Sequence, residues 1–158
     1  MKQSLLLFLL LSCTLAFGQA KKTAGADPWA GTWKLDTAKS KFHASTPKEE
    51  TVTVDAVTKE SIKYSIKGTD AEGKDYTVTY DGKPGTASPV MVNGNEVEQL
   101  TYAMPSSHEL NSTSKGSDGS SGTAKITLSK DNKTTTVHEH HKDAKGGEYD
   151  ETAVYVRQ

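Results

Sequence analysis

The densest cluster of chemistry-bearing residues in the chain is His138-Glu139-His140-His141. Successive side chains of a β-strand point to opposite faces, so His138 and His140 would share one side. Two imidazoles at i and i+2 are spaced to hold one metal ion, with His43, His108 or a carboxylate completing the shell. The run is polar on both faces and is followed by Lys142 and Asp143, so an exposed strand at the rim of a sheet accounts for it without any metal. The second group is tyrosine. Tyr64, Tyr76, Tyr80 and Tyr102 fall in step with apolar neighbours at every second position. In a filled core their hydroxyls need partners; in a hollow one they supply the few oriented polar groups that small-molecule pockets set among apolar walls.

Catalysis finds little support. The chain has no Gly-x-Ser-x-Gly elbow, no phosphate-binding glycine loop and no His-Glu-x-x-His. His108 beside Ser106 and Ser107 is one of many Ser, His and acid combinations in a Ser-rich chain, and nothing singles it out. A non-enzymatic protein that needs no cofactor is the expectation.

The elements that must position these residues are short and alternate with a period of two. Ile62, Tyr64 and Ile66 share one face of the 61–68 segment, Tyr76, Val78 and Tyr80 one face of 75–81, and Leu100, Tyr102 and Met104 one face of 98–104. Ala124, Ile126 and Leu128 do the same in 123–129. Further strands are expected over 31–35, 50–57, 107–114, 134–142 and 149–157, with a weak one over 87–92, and the Ser/Gly run between Thr113 and Gly122 is expected as a floppy hairpin tip. The 50–57 segment alternates poorly towards its end. Gly, Asn and Asp punctuate the links, as in Asp70-Ala71-Glu72-Gly73, Asn93-Gly94-Asn95 and Lys145-Gly146-Gly147, and suit tight turns. Such links favour sequential antiparallel neighbours. The fold class is therefore all-β: an antiparallel up-and-down β-barrel of about eight to ten strands, since closure removes both exposed edges. A two-sheet sandwich is the rival and would need a long crossing loop, which the links do not supply. A short helical turn is expected only at 37–42, after the first strand.

The chain has 158 residues, with 19 basic and 20 acidic side chains. Residues 1–18 read as an export signal: Lys2, an apolar stretch from Leu5 to Leu11, and a small-x-small site at Ala16-Phe17-Gly18, with cleavage before Gln19. Lipidation at Cys13 within Leu10-Leu11-Ser12-Cys13 is the alternative. Residues 19–28 read as a flexible leader, and 29–158 as one domain. Removing Lys2 with the signal leaves 18 basic against 20 acidic residues, a formal charge of −2. That near-neutral balance argues against nucleic acid as a partner. Loss of Cys13, the only cysteine, leaves no disulfide. No later segment approaches the roughly 20 apolar residues of a transmembrane helix. A monomer, periplasmic or secreted, is expected.

Trp29 and the run Gly31-Thr32-Trp33-Lys34-Leu35, ending in the aromatic Phe42, resemble the first-strand motif of the calycin superfamily, the lipocalins and fatty-acid-binding proteins. The start GTWKL and the final Val154-Tyr155-Val156-Arg157 are similar to small exported lipocalin-like domains of bacteria. The resemblance implies that Trp33 plugs the closed base of a barrel and that Arg157 lies against it. It also implies a cavity for a small hydrophobic or amphipathic molecule, lined by Tyr64, Ile66, Tyr76, Val78, Tyr80, Leu100, Tyr102, Met104 and Ile126. Two departures stand out: Phe42 to Glu49 leaves no room for a helix-turn-helix lid, and the order Tyr155-x-Arg157 differs from the Arg-x-Tyr that holds a carboxylate in fatty-acid-binding proteins. The other functional readings are a cell-envelope accessory domain binding protein or glycan on its surface, and weak metal binding through His138 and His140. Whether Tyr155 and Arg157 or Val154 and Val156 face inward is open at this level.

Overall fold

The computed structural model describes residues 27–158; the expected signal at 1–18 and residues 19–26 of the expected leader lie outside the described residues. Ten strands follow in chain order: β1 (Gly31–Leu35), β2 (Glu49–Val57), β3 (Ile62–Thr69), β4 (Asp75–Gly82), β5 (Ser88–Val92), β6 (Asn95–Ser106), β7 (Glu109–Gly116), β8 (Ser121–Leu128), β9 (Thr134–Lys142) and β10 (Glu148–Arg157). Each pairs antiparallel with its sequence neighbour, and β1 pairs with β10 to close an up-and-down barrel. The turns take the conformations their residues favour. Between β5 and β6, Asn93 and Gly94 have φ of 49° and 81°, both in the left-handed region a two-residue hairpin turn requires. At 37–39 a single turn closes with Lys39 N–H on the Asp36 carbonyl at 3.2 Å, and no helix follows.

Register decides which face is inside. Trp33 pairs with both Val52 and Arg157, and Tyr155 with Leu35 and Thr135, so Tyr155 and Arg157 face inward while Val154 and Val156 face outward. The irregular end of β2 is a bulge: pairing runs Val54 to Tyr64, then Ala56 to Lys63, so Asp55 is the extra residue and Val57 returns to the inner face opposite Ile62.

The 113–122 segment differs from expectation. β7 continues to Gly116 and β8 begins at Ser121, leaving a short turn in which Gly119 N–H bonds the Gly116 carbonyl at 3.2 Å. Ser112, Ser114 and Gly116 alternate inward on β7, facing Ala124 and Gly122 of β8. Small residues that read as loop are here the thin part of a wall.

The apolar core fills one end of the barrel. Trp33 is 2% exposed and donates its indole N–H to the Trp29 carbonyl at 2.9 Å; Trp29, 3% exposed, donates to the Ser107 carbonyl at 2.9 Å. Ile62, Tyr80, Leu110 and Leu128 pack around this floor. Asp27 and Pro28 are tied to it as well: Asp27 accepts from Trp29 N–H at 2.9 Å and Val57 N–H at 2.5 Å. Among the described residues no helix is long and apolar enough to cross a membrane.

Candidate functional site

Arg157 caps the floor. Its guanidinium carbon lies 4.1 Å from the centroid of the Trp33 ring, a cation–π contact. Its N–H groups donate to the carbonyls of Asn132 at 2.7 Å, Ala30 at 2.7 Å and Pro28. The guanidinium is thus committed to backbone acceptors at the base. The glycine of Gly31-x-Trp33 follows from this contact, because a Cβ at Gly31, where φ is 133°, would sit 2.8 Å from Arg157 Nη1.

Above Trp33 lies a cavity of about 230 Å³. Its walls are Val52, Val54, Ile66, Leu100, Ile126 and Val137, with the small Ser112, Ser114, Gly122 and Ala124 on one side. The hollow exists where those small residues stand, since a side chain that stops at Cβ or Oγ leaves the lumen unfilled. Five of the nine residues expected to line it do so: Tyr64, Ile66, Leu100, Tyr102 and Ile126. The other four do not. Val78 and Met104 pack against the core from outside the cavity, and Tyr80 is a core residue, 2% exposed, with its hydroxyl donating to the Leu100 carbonyl at 3.3 Å. Tyr76 points into the lumen but donates to one oxygen of Glu50, whose other oxygen takes the Tyr155 hydroxyl at 2.5 Å. Alternation identified the inward face but carried no information on height along the barrel axis.

Three aromatic rings cluster beside the cavity. Tyr64 lies on Tyr80 at 5.5 Å between centroids, and Tyr80 meets Tyr102 edge-on at 5.4 Å. The hydroxyls of Tyr64 and Tyr102 are 3.3 Å apart. Only one proton lies between them, so the second hydroxyl keeps a proton to donate. Burial pushes both phenols above the ordinary tyrosine range, and so keeps them neutral donors.

The polar end of the cavity comes from residues the sequence reading did not assign: Glu98, Glu139 and His141 line it, and Thr135 lies nearer the floor. Thr135 is 8% exposed, and its Oγ1 has no hydrogen-bond partner among the described residues; His141 Nε2, a buried atom, has none either. The Glu139 carboxylate, with an oxygen 3.6 Å from His141 Nε2, raises the His141 pKa against the opposing effect of burial. The expected pair His138 and His140 lies on the opposite face. His138 Nδ1 is 3.0 Å from Thr152 Oγ1 and His140 Nδ1 is 2.8 Å from Asp150 Oδ1, both outside the barrel. His108, at the base end, bonds Asn132 Oδ1 at 3.0 Å and is remote in the fold from either pair. Period-two alternation through Glu139 and His141, set against the apolar Val137 two residues earlier, was the signal that could have placed them inside.

No protein-family model matches the chain, and no curated protein matches it in sequence. Among solved structures the barrel is similar to EF1p2_mFAP2b bound to DFHBI, at TM-score 0.49 and 12% identity over 84% of this chain and 96% of that one. It is similar too to a de novo designed fluorescence-activating β-barrel, at TM-score 0.45 and 16% identity over 84% and 97% of the two chains. Likenesses this distant carry no functional argument.

Proposed function

We propose that this protein is an exported, non-enzymatic carrier that takes up one small, partly apolar molecule into the barrel. The observation that supports this most is a cavity with apolar walls against which the hydroxyls of Tyr64 and Tyr102 pair, leaving one phenol proton free to donate. A donor left unpaired in a buried site costs roughly 1–3 kcal/mol, and a ligand that accepts from it recovers that cost. The volume exceeds the roughly 150 Å³ of an apolar hole that holds benzene. A single ring with a short polar arm fits, its ring against Ile66, Leu100 and Ile126 and its arm towards the Tyr64–Tyr102 pair. A long acyl chain does not, and with Arg157 held on three carbonyls no Lys or Arg among the described residues lines the cavity to take a carboxylate.

The test is calorimetric titration with single-ring probes such as indole and 4-ethylphenol, on the parent protein and on Ala124→Phe, which fills the hollow. Saturable one-to-one binding that Ala124→Phe abolishes, with the far-ultraviolet spectrum unchanged, is the expected result. Absence of saturable uptake by the parent, or uptake indifferent to Ala124→Phe, refutes the carrier reading.

A further inference from the structure

The inner wall at the open end carries a constellation that small-molecule burial does not require. Glu139 and His141 on β9 face inward beside Glu151 on β10, which pairs directly opposite Glu139. One ligating atom from each lies within 4.8 Å of the others. We infer that Glu139, His141 and Glu151 form a binding site for one divalent transition-metal ion of the zinc class, inside the mouth of the barrel.

Four observations support it. First, the donor set suits such an ion: two carboxylates and an imidazole, ligand types that bind Zn²⁺ at about 2.0–2.2 Å. Tetrahedral donors at that radius stand about 3.4 Å apart, so the three atoms need close by at most about 1.4 Å, within the reach of side-chain rotation over a fixed strand pair. Second, the imidazole makes no hydrogen bond at its buried Nε2: the nearest Glu139 oxygen, at 3.6 Å, is at ion-pair distance but too far to accept one. Third, charge does not balance without an added cation. Glu139 and Glu151 stand together here, and Glu98 lines the same cavity. Inward-facing Lys or Arg are absent here among the described residues, since Arg157 sits at the far end. A divalent ion balances the two ligating carboxylates. Fourth, the ligands are held in place. The His141 ring stacks on Tyr149 at 5.0 Å and Tyr149 on His43 at 4.4 Å, while Glu151 Oε1 accepts the His43 backbone N–H at 2.9 Å. Support of this kind orients ligands in metal sites. The outer His138 and His140 lack such a setting, because they face solvent with hydroxyl and carboxylate partners already in place.

The experiment uses His138→Ala/His140→Ala as the reference protein, so that surface imidazoles do not contribute. After chelator treatment and dialysis it is titrated with Zn²⁺ by calorimetry and with Co²⁺ by visible absorption. One site per chain is expected, with Co²⁺ bands of low-coordinate N/O ligation. Adding His141→Ala, or Glu139→Gln with Glu151→Gln, is expected to weaken binding at least tenfold while the circular dichroism spectrum and melting temperature persist. Should His141→Ala lower the melting temperature, the isosteric Glu139→Gln/Glu151→Gln protein carries the comparison. The proposal is overturned if the reference protein binds no metal while the parent does, since the surface histidines then account for it. It is equally overturned if binding survives loss of both carboxylates. Indole uptake, measured separately, reports on the cavity whichever way the metal titration falls.

Discussion

The contact between Arg157 and Trp33 shows how one side chain closes one end of the molecule. A guanidinium has a fixed fork of donors, and here three of its directions end on the carbonyls of Asn132, Ala30 and Pro28 while its face lies on the indole. Removing it leaves three carbonyls short of a donor and an indole short of its cover. Arg157→Ala is therefore expected to destabilise the fold by about 2–4 kcal/mol in urea unfolding. Arg157→Lys should recover less than half of that, because a point-like ammonium cannot reach three separated acceptors. Full rescue by Lys would show that charge alone, not the fork, matters there.

At the scale of the strand, residue size decides as much as polarity. β7 and β8 present Ser112, Ser114, Ala124 and Gly122 to the lumen, and the cavity lies against them. On β3 the small residue serves packing instead. A Cβ on Gly68 would meet Tyr76 Cζ at 2.5 Å and the Glu49 carbonyl at 2.9 Å, so the glycine makes room for the ring that bonds Glu50. Gly68→Ala is expected to cost about 1–3 kcal/mol. Its effect should shrink but not vanish in a Tyr76→Ala background, since the Glu49 carbonyl remains in the way, as a double-mutant cycle would report. Additive effects would mean that Tyr76 is not what constrains position 68. The sequence reading missed both roles for one reason: Gly and Ser between polar residues signal turns, and the same letters serve wherever an inner wall must be thin.

For the molecule as a whole, stability rests on burial and strand pairing, since the described residues contain no cysteine. The buried phenols make this pH-dependent. Burial raises Tyr64, Tyr102 and Tyr155, and Glu50 beside Tyr155 raises it further. Because the folded-state values lie above the unfolded value of about 10, the folded state holds these protons more tightly. The stability they confer is complete below pH about 10 and is lost as the pH climbs through the folded-state values. Urea midpoints should be flat from pH 8 to 9.5 and fall steeply beyond, with phenolate absorbance at 295 nm from these tyrosines appearing in the unfolding step. Titration of all the tyrosines near pH 10 by a barrel that stays folded would contradict this.

The amino-acid sequence by itself determined the class of fold, through period-two alternation and turn chemistry that are local properties of a few adjacent residues. It also singled out Trp33 and Arg157 as a pair, through resemblance. Tertiary structure alone decided the interior. Whether Glu139 or His140 looks inward depends on register with β8 and β10 across the sheet, and whether Tyr64 or Tyr80 meets the hollow depends on height along the barrel axis. Both quantities arise from pairing between segments distant in the chain, and a one-residue shift in pairing exchanges every inner side chain for an outer one.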